Sequence, residues 1–304
     1  MYSNKKYEKY CQAIIVAYNP NFDQLKDLVH SLVGQVEGVT IIDNASSGFE
    51  WEKFDPLRLQ TLKVDLVRLD RNAGLGGGLN VGINLARQLK IPYVLLLDQD
   101  SLPDKDMVSN LRGAYERLSK HKNIAAVGPR FKDPISGLIS KFGPRKTLAE
   151  GDVSKVDFLI TSGTFINTKV FEVVGMMHEG LFIDYVDTEW CFRAADFNLE
   201  IFGVNNALMI HSLGERRKRL WFLRWRNISF HNSFRYYYIY RNYIILCCQS
   251  HISIEWKVKY LIKLAGLFLI LGIFSDEKIA SIKMVARGVK DGLFGNQGHR
   301  HFIK

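Results

Sequence analysis

The sequence predicts an α/β protein: a mostly parallel sheet flanked by helices, followed by a C-terminal helical extension. Three observations predict it. Short apolar runs alternate with helix-period segments through the first third of the chain, as in parallel sheets joined by crossover helices. A polar residue closes each of those runs. After His211 the pattern changes to longer stretches of helical period rich in Arg and aromatic residues.

Taken in order, Ala13-Ile-Ile-Val-Ala17 is apolar throughout, the mark of a strand covered on both faces. Asn19-Pro20 ends it, and Asp23 is placed to cap a helix carrying Leu25, Leu28, Val29 and Leu32 on one face. A second strand, Val39–Asp43, closes on the turn-rich Asn44-Ala-Ser-Ser-Gly48, and a third is expected over Val64–Leu69. The glycine-rich Asn72–Gly78 leads into a helix running to about Leu89, and Tyr93–Leu97 is a fourth strand ending in Asp98-Gln99-Asp100. Further strands are expected at Ile124–Val127, Phe158–Thr161 and Ala207–Ile210. In open parallel sheets, ligands bind beyond the carboxyl ends of the strands, and Asn19, Asp43, Asn72 and Asp98 all fall there.

With 304 residues, 47% of them hydrophobic, the chain can bury a sizeable core and is not a disordered segment. Its net charge of +10 is unevenly placed: residues 211–304 hold 17 Lys/Arg against 5 Asp/Glu, so the whole excess lies in the last third. Such asymmetry suits an anionic surface. Cys11, Cys191, Cys247 and Cys248 have neither metal-site nor disulfide-framework spacing, so reduced thiols are expected. The polar N-terminus does not read as a signal peptide. Leu264–Phe274 is apolar all round yet shorter than the roughly 20 residues a bilayer span needs, so it is either core or interfacial.

Two aspartates two apart on extended backbone point the same way, and their mutual repulsion is relieved by a divalent cation with oxygen ligands. A solvated turn is the bland alternative for Asp98 and Asp100. The glycines at 74–78 match neither a dinucleotide fingerprint nor a phosphate loop; they fit a tight strand-to-helix turn or close backbone approach to a ligand. Asp187 reads as a helix N-cap or as a general base toward a hydroxyl, with Asp184 and Glu189 nearby and Arg193 set to pair with one of the acids. His211, at a strand end, is structural or completes a metal or diphosphate site. Arg216–Arg219 with Trp221, Arg224, Trp225 and Arg226, at helical spacing, is a solvated basic face or an interface for diphosphate, anionic lipid or RNA. The Tyr236–Tyr240 cluster and the 264–274 run favour the membrane and speak against nucleic acid.

The residues Ile15-Val-Ala-Tyr-Asn19, Ile42-Asp-Asn-Ala-Ser46, Asn72-Ala-Gly74, Leu97-Asp-Gln-Asp100, Asp187-Thr-Glu-Trp-Cys191 and His211-Ser-Leu-Gly214 together resemble the family 2 inverting glycosyltransferases. The form Leu97–Ser101, with Gly128-Pro-Arg130, Arg235-Tyr-Tyr-Tyr238, Arg241-Asn242 and Asp291–Gly295, is similar to bacterial rhamnosyltransferases of O-antigen and cell-surface polysaccharide synthesis. The resemblance implies a GT-A-like, Rossmann-type fold, with residues 1–214 as the catalytic domain and 215–304 as a helical extension. It implies that Tyr18, Asn19, Asp43, Asn72 and Gly74 surround the nucleoside and sugar, that Asp98 holds the ribose, and that Asp100, helped by His211, binds Mg²⁺ or Mn²⁺. Asp187 stands at the position of the catalytic base. Where the family carries a Glu-Asp pair this chain has Val186-Asp187, which leaves Asp184 as a candidate second acid.

The expected partners are a nucleoside-diphosphate sugar, dTDP-L-rhamnose in the first place, and a saccharide or lipid-linked saccharide acceptor. The expected setting is cytoplasmic, peripheral at the inner face of the cytoplasmic membrane. Two readings compete: a phosphatase-like enzyme with Asp98 as nucleophile, which would want its Asp-x-Asp on the first strand, and a non-catalytic lipid- or RNA-binding module built on the basic tail.

Overall fold

The computed structural model describes residues 10–48, 51, 62–134, 137–142, 152–211, 216–222 and 224–300, with the side chains of 212–229 excepted. The boundary expected at 214/215 lies outside the described residues.

A nine-stranded sheet organises the fold. Its first four strands are β1 (Cys11–Ala17), β2 (Gly38–Asp43), β3 (Lys63–Arg68) and β4 (Tyr93–Asp98), all mutually parallel in the order β3-β2-β1-β4. Beyond β4 come β8 (Thr164–Asn167), β6 (Ile124–Lys132), β9 (Glu200–Ile210) and the two-residue β5 (Leu102–Pro103), with β7 (Val153–Val156) also paired to β9. Only β5, β7 and β8 run against the rest, so the sheet is mostly parallel, as expected.

Helices cover both faces, and the strand alternation decides which residue meets which. On β1, Ile14 and Val16 join the core beneath α2 (Gly74–Gln88), while Ala13, Ile15 and Ala17 join the one beneath α1 (Phe22–Ser31) and α3 (Met107–Leu118). Val94 and Leu96 of β4 likewise face one way, Leu95 and Leu97 the other. The first of these cores continues without a break through α4 (Val170–Val174) and α5 (Val186–Asp196). It then reaches α6 (Ser233–Cys247), α7 (Ile254–Phe274) and α8 (Lys278–Leu293).

Three local expectations change and one open choice narrows. Asn21, not Asp23, caps α1, accepting from the Gln24 N–H at 3.0 Å; Asp23 sits inside the first turn, where its charge still favours the helix dipole. Residues 158–161 form no strand. Leu159 is buried and its neighbours half-buried, so the apolar run is satisfied by packing while the ladder is made by β7 and β8 on either side. The 216–226 stretch is not helical but an antiparallel hairpin, β10 (Arg216–Phe222) with β11 (Arg224–Phe230), in which Trp221 registers opposite Trp225. A four-residue spacing fits a helical turn and two strands closing on one residue equally well, and aromatic residues favour strands. Lastly, α7 spans 21 residues and buries only Trp256, Leu264 and Leu271 completely, so the 264–274 run is part of a surface helix rather than a core one.

The helices α6 and α8 cross at backbone contact. A Cβ built on Gly288 would lie 2.3 Å from the Tyr237 carbonyl oxygen, and one on Gly292 2.8 Å from that of Arg241. Substituting Gly288→Ala should therefore lower the melting temperature by several degrees. The helix-propensity gain of about 1 kcal/mol is outweighed by overpacking against backbone that cannot move aside, at about 1–3 kcal/mol or more. Scanning calorimetry of the two proteins checks it; an unchanged or raised midpoint would show that the crossing is looser than described.

Candidate active site

The Asp98-Gln99-Asp100 triplet leaves β4 at the carboxyl end of the parallel half of the sheet. The chain then turns into β5, whose Leu102 pairs with Ile210 at the end of β9. That one pairing brings His211 beside the triplet. Its ring nitrogens lie 3.8 Å from Asp98 Oδ2 and 3.7 Å from Asp100 Oδ1, and one donor atom from each of the three residues falls within 4.8 Å of the others. His211 is itself buried, its N–H donating to the Lys132 carbonyl at 3.2 Å.

Two buried serines support the group. Ser101 Oγ is 3.1 Å from His211 Nδ1 and shares a short hydrogen bond with Ser162 Oγ, which in turn accepts from the Asp98 N–H at 3.3 Å. With Nδ1–H donating to Ser101, the Nε2 lone pair is left facing Asp98. Burial pushes the Asp98 carboxyl up to about 6. His211 and Arg235 oppose the shift, and the Asp100 and Asp187 carboxylates add to it. Two carboxylates and one imidazole, crowded and partly dry, form an oxygen-rich donor set that fits a Mg²⁺- or Mn²⁺-type cation. Asp98, which the resemblance gives to the ribose, lies beside Asp100 and His211 as well.

Asp187 sits in the first turn of α5, one residue inside the start at Val186; Tyr185 holds the cap position in a left-handed conformation. Its Oδ2 accepts from the Thr161 N–H at 2.9 Å and its Oδ1 from the Thr188 N–H at 2.7 Å. Burial nevertheless keeps its carboxyl above the ordinary range, against the pull of those donors. Asp184 is paired with Arg235 of α6, Oδ1 to Nη2 at 2.9 Å, and is therefore a neutralised anchor rather than a second free acid. Arg193 forks onto the carboxylate of Glu189 and onto the Val174 and Met176 carbonyls, tying α5 to the end of α4.

The remaining predicted residues form two walls. At the ends of β1 and β2, the Tyr18 N–H donates to Gln99 Oε1 at 2.7 Å, and Asn19, at φ 45°, exchanges bonds with Ser46 and Ser47. Asp43 is buried and holds the Ser46 N–H at 2.9 Å, so it braces this loop from beneath; Tyr18 is left 48% exposed, available to stack on a planar group. The second wall is the start of α2, where Asn72 Oδ1 accepts from the Gly74 N–H at 2.9 Å. Gly74, at φ +75°, packs on protein: a Cβ there would meet the Phe182 carbonyl oxygen at 2.4 Å. Sequence reading gives Gln99 and Ser101 no role of their own within the motif and does not single out Thr161 or Ser162. Small polar side chains become legible as supports only once two chain segments are known to meet.

The fold and this site define a GT-A-type nucleotide-sugar enzyme. Over residues 12–174 the chain matches the model for glycosyl transferase family 2, and it belongs to that family. It is 30% identical to the dTDP-rhamnosyl transferase RfbF of Shigella flexneri over 94% of this chain and 96% of that protein. It is also 28% identical to the low-salt glycan biosynthesis hexosyltransferase Agl10 of Haloferax volcanii, over 62% of each. Among solved structures, TarS 1–349 of S. aureus with UDP-GlcNAc has a TM-score of 0.58 at 14% identity, covering 94% of this chain and 81% of that one. GalNAc-T7 with UDP, GalNAc and Mn²⁺ has a TM-score of 0.54 at 16% identity, covering 68% of this chain; the match spans less than half, 44%, of that chain. The chain is accordingly a glycosyltransferase, and the phosphatase-like and non-catalytic readings fall away.

The crowding of acids has a measurable cost. Replacing Asp98→Asn removes one buried, mutually repelling charge, so the metal-free protein should gain about 2 °C in melting temperature at neutral pH. That shift corresponds to ~1 kcal/mol, a figure already discounted for the partial exposure of the group. Adding Mn²⁺ should raise the midpoint of the wild type and not of the variant. Equal metal responses in the two proteins would remove Asp98 from the cation site.

Proposed function

We propose that the chain transfers L-rhamnose from dTDP-L-rhamnose, with inversion, to a hydroxyl of a saccharide acceptor carried on lipid in cell-surface polysaccharide synthesis. The observation that carries the donor is the 30% identity, over nearly the whole of both chains, to a dTDP-rhamnosyl transferase. The half-buried Asp187, raised above the ordinary carboxylate range and close enough to Asp98 to repel it, supports the chemistry.

In this reading Tyr18, Asn19 and the loop braced by Asp43 receive the nucleoside, with Asn72 and Gly74 shaping the opposite wall. Asp98, Asp100 and His211 would hold a divalent cation, which when bound would neutralise charge on the departing diphosphate. Asp187 takes the proton of the acceptor hydroxyl as that oxygen bonds to the anomeric carbon and the bond to the diphosphate oxygen breaks. One displacement inverts the anomeric centre. The Thr161 and Thr188 N–H groups fix the carboxylate, and burial keeps it basic enough to accept the proton.

The setting we propose is an anionic membrane surface reached through α7. No helix among the described residues is long and apolar enough to cross a membrane. Along α7, however, Ile254, Val258, Leu261, Ile262, Leu269 and Ile273 form one outward row, each more than half exposed. Exposed Lys259 and Lys263 flank it, and the net charge of the last third supplies attraction to acidic headgroups.

Two outcomes test the proposal. Asp187→Asn should cut transfer about 10²–10⁴-fold while leaving donor affinity nearly intact, and thermal-shift screening should single out dTDP- over UDP- and GDP-sugars. Full transfer by the variant, or a preference for another nucleotide, would overturn the corresponding part. For the membrane, Ile262→Ser with Leu269→Ser should abolish co-sedimentation with phosphatidylglycerol vesicles without lowering the melting temperature; undiminished binding would place the contact elsewhere.

A further inference from the structure

A cleft of about 410 Å³ opens beside the site on the side away from Tyr18 and Asn19. One wall is the end of β6 with Phe142, another the stretch from β7 through Ser162, and a third the first turns of α7 with Glu255 and Lys259. We infer that this cleft is the acceptor subsite, and that it takes a pyranose presented with its ring against Phe142 and Phe158. The inference rests on the transferase reading above and adds to it the place and chemical class of the acceptor.

Position is the first argument. The strand that carries Asp98, β4, has β1 and β2, with the nucleoside wall at their ends, on one side, and β6 and β9 on the other, where β6 and β7, the neighbours of β9, line the cleft. A single displacement needs donor and acceptor on opposite sides of the reacting carbon, with the base on the acceptor's side. The cleft meets that need. Its lining includes Ile160 and Ser162, and the residue between them, Thr161, holds Asp187 through its N–H at 2.9 Å. Ser162 also accepts from the Asp98 N–H. The same five-residue stretch, Phe158–Ser162, therefore lines the cleft, fixes the base and touches the cation group.

Composition is the second. Rings set among a few charged groups make a surface that binds the apolar face of a sugar and its hydroxyls at once, and the volume falls in the range of about 300–1,000 Å³ usual for small-molecule sites. The rings are held in place. Phe158 lies 6.4 Å from Phe192 of α5, the helix that bears Asp187, and Phe142 packs where Gly203 of β9 leaves room for it. Asp157, Glu255 and Lys259 stand at the rim with the polarity that sugar hydroxyls require. Lys155 is already committed to Glu200 at 2.5 Å.

The full chain with methyl pyranosides (rhamnose, galactose and N-acetylglucosamine configurations) supplies the test. Saturation-transfer NMR should show at least one pyranoside bound to the wild type, and its signal should be lost in Phe158→Ala and restored in Phe158→Tyr. Lys259→Glu, on the exposed rim, serves where the phenylalanine variant fails to fold, and it should weaken the same signal. With dTDP-rhamnose present, the ratio of transfer to donor hydrolysis should fall tenfold or more in either variant, through a raised acceptor KM. Absence of any pyranoside signal with the wild type, or transfer and hydrolysis falling in step, would overturn the assignment. A wild type that binds a pyranoside but neither binds nor cleaves the dTDP-sugar would sink the donor reading and leave the cleft standing.

Discussion

The structure depends on a buried guanidinium and a buried amide, those of Arg241 and Asn242 on α6. Both residues are fully inaccessible, and both are spent on backbone carbonyls of the loop before α5. Arg241 reaches Gly180 and Leu181 at 3.1 and 2.8 Å and Gly298 at 2.6 Å; Asn242 Nδ2 lies 2.7–3.0 Å from the carbonyls of Leu181, Ile183 and Asp184. Burial pulls the guanidinium pKa down, but the Tyr237 and Tyr238 rings, 5.4 and 4.8 Å away, and the carbonyl dipoles compensate the charge. Without these donors the loop could not keep its shape. Phe182, Asp184 and Tyr185 all have positive φ, a conformation costing about 1–3 kcal/mol for each such residue and persisting only where the surroundings over-determine it.

That loop sets the start of α2 and the approach of Asp187. Its Phe182 carbonyl accepts from the Leu75 N–H at 2.6 Å, which places the start of α2 and with it Asn72. Its last residue, Tyr185, launches α5 so that Asp187 arrives under the Thr161 N–H. Arg235, one turn into the same helix as the latch, adds a charged tie to Asp184. The C-terminal helices are thus structural parts of the catalytic region, which is why they share one continuous core with the sheet.

How much of this the sequence shows follows from what the physics makes local. The first four strands are legible because each is a short apolar run between helical patterns, and the triplet is legible because it ends the fourth. The gathering of Asp98, Asp100 and His211 is only half legible: the residue types announce a cation, but the Leu102–Ile210 pairing that joins them spans more than a hundred residues. The latch is not legible at all. Arg241-Asn242 stood out as a resemblance to relatives, yet its acceptors are carbonyls about sixty residues away, which carry no side-chain signature. The hairpin is illegible for a different reason: the spacing of residues 216–226 satisfies two periodicities, and register between strands decides what periodicity alone does not.

The helix α7 shows where the one-dimensional reading stops being adequate. An apolar run shorter than a span looked like a choice between core and interface, whereas the helix divides the two roles around its circumference. Trp256 stacks on Tyr260 and meets Phe192 of α5, the helix that carries Asp187, so the inner face is tied to the sheet's core. The outer face carries the exposed apolar row, and the first turns contribute Glu255 and Lys259 to the cleft. A helix about 10–12 Å wide with its side chains thus packs against the core on one side and leaves an apolar row towards solvent on the other. Hydrophobic periodicity alone assigns such a run to one environment, and only its neighbours in space decide which part of the circumference each environment takes.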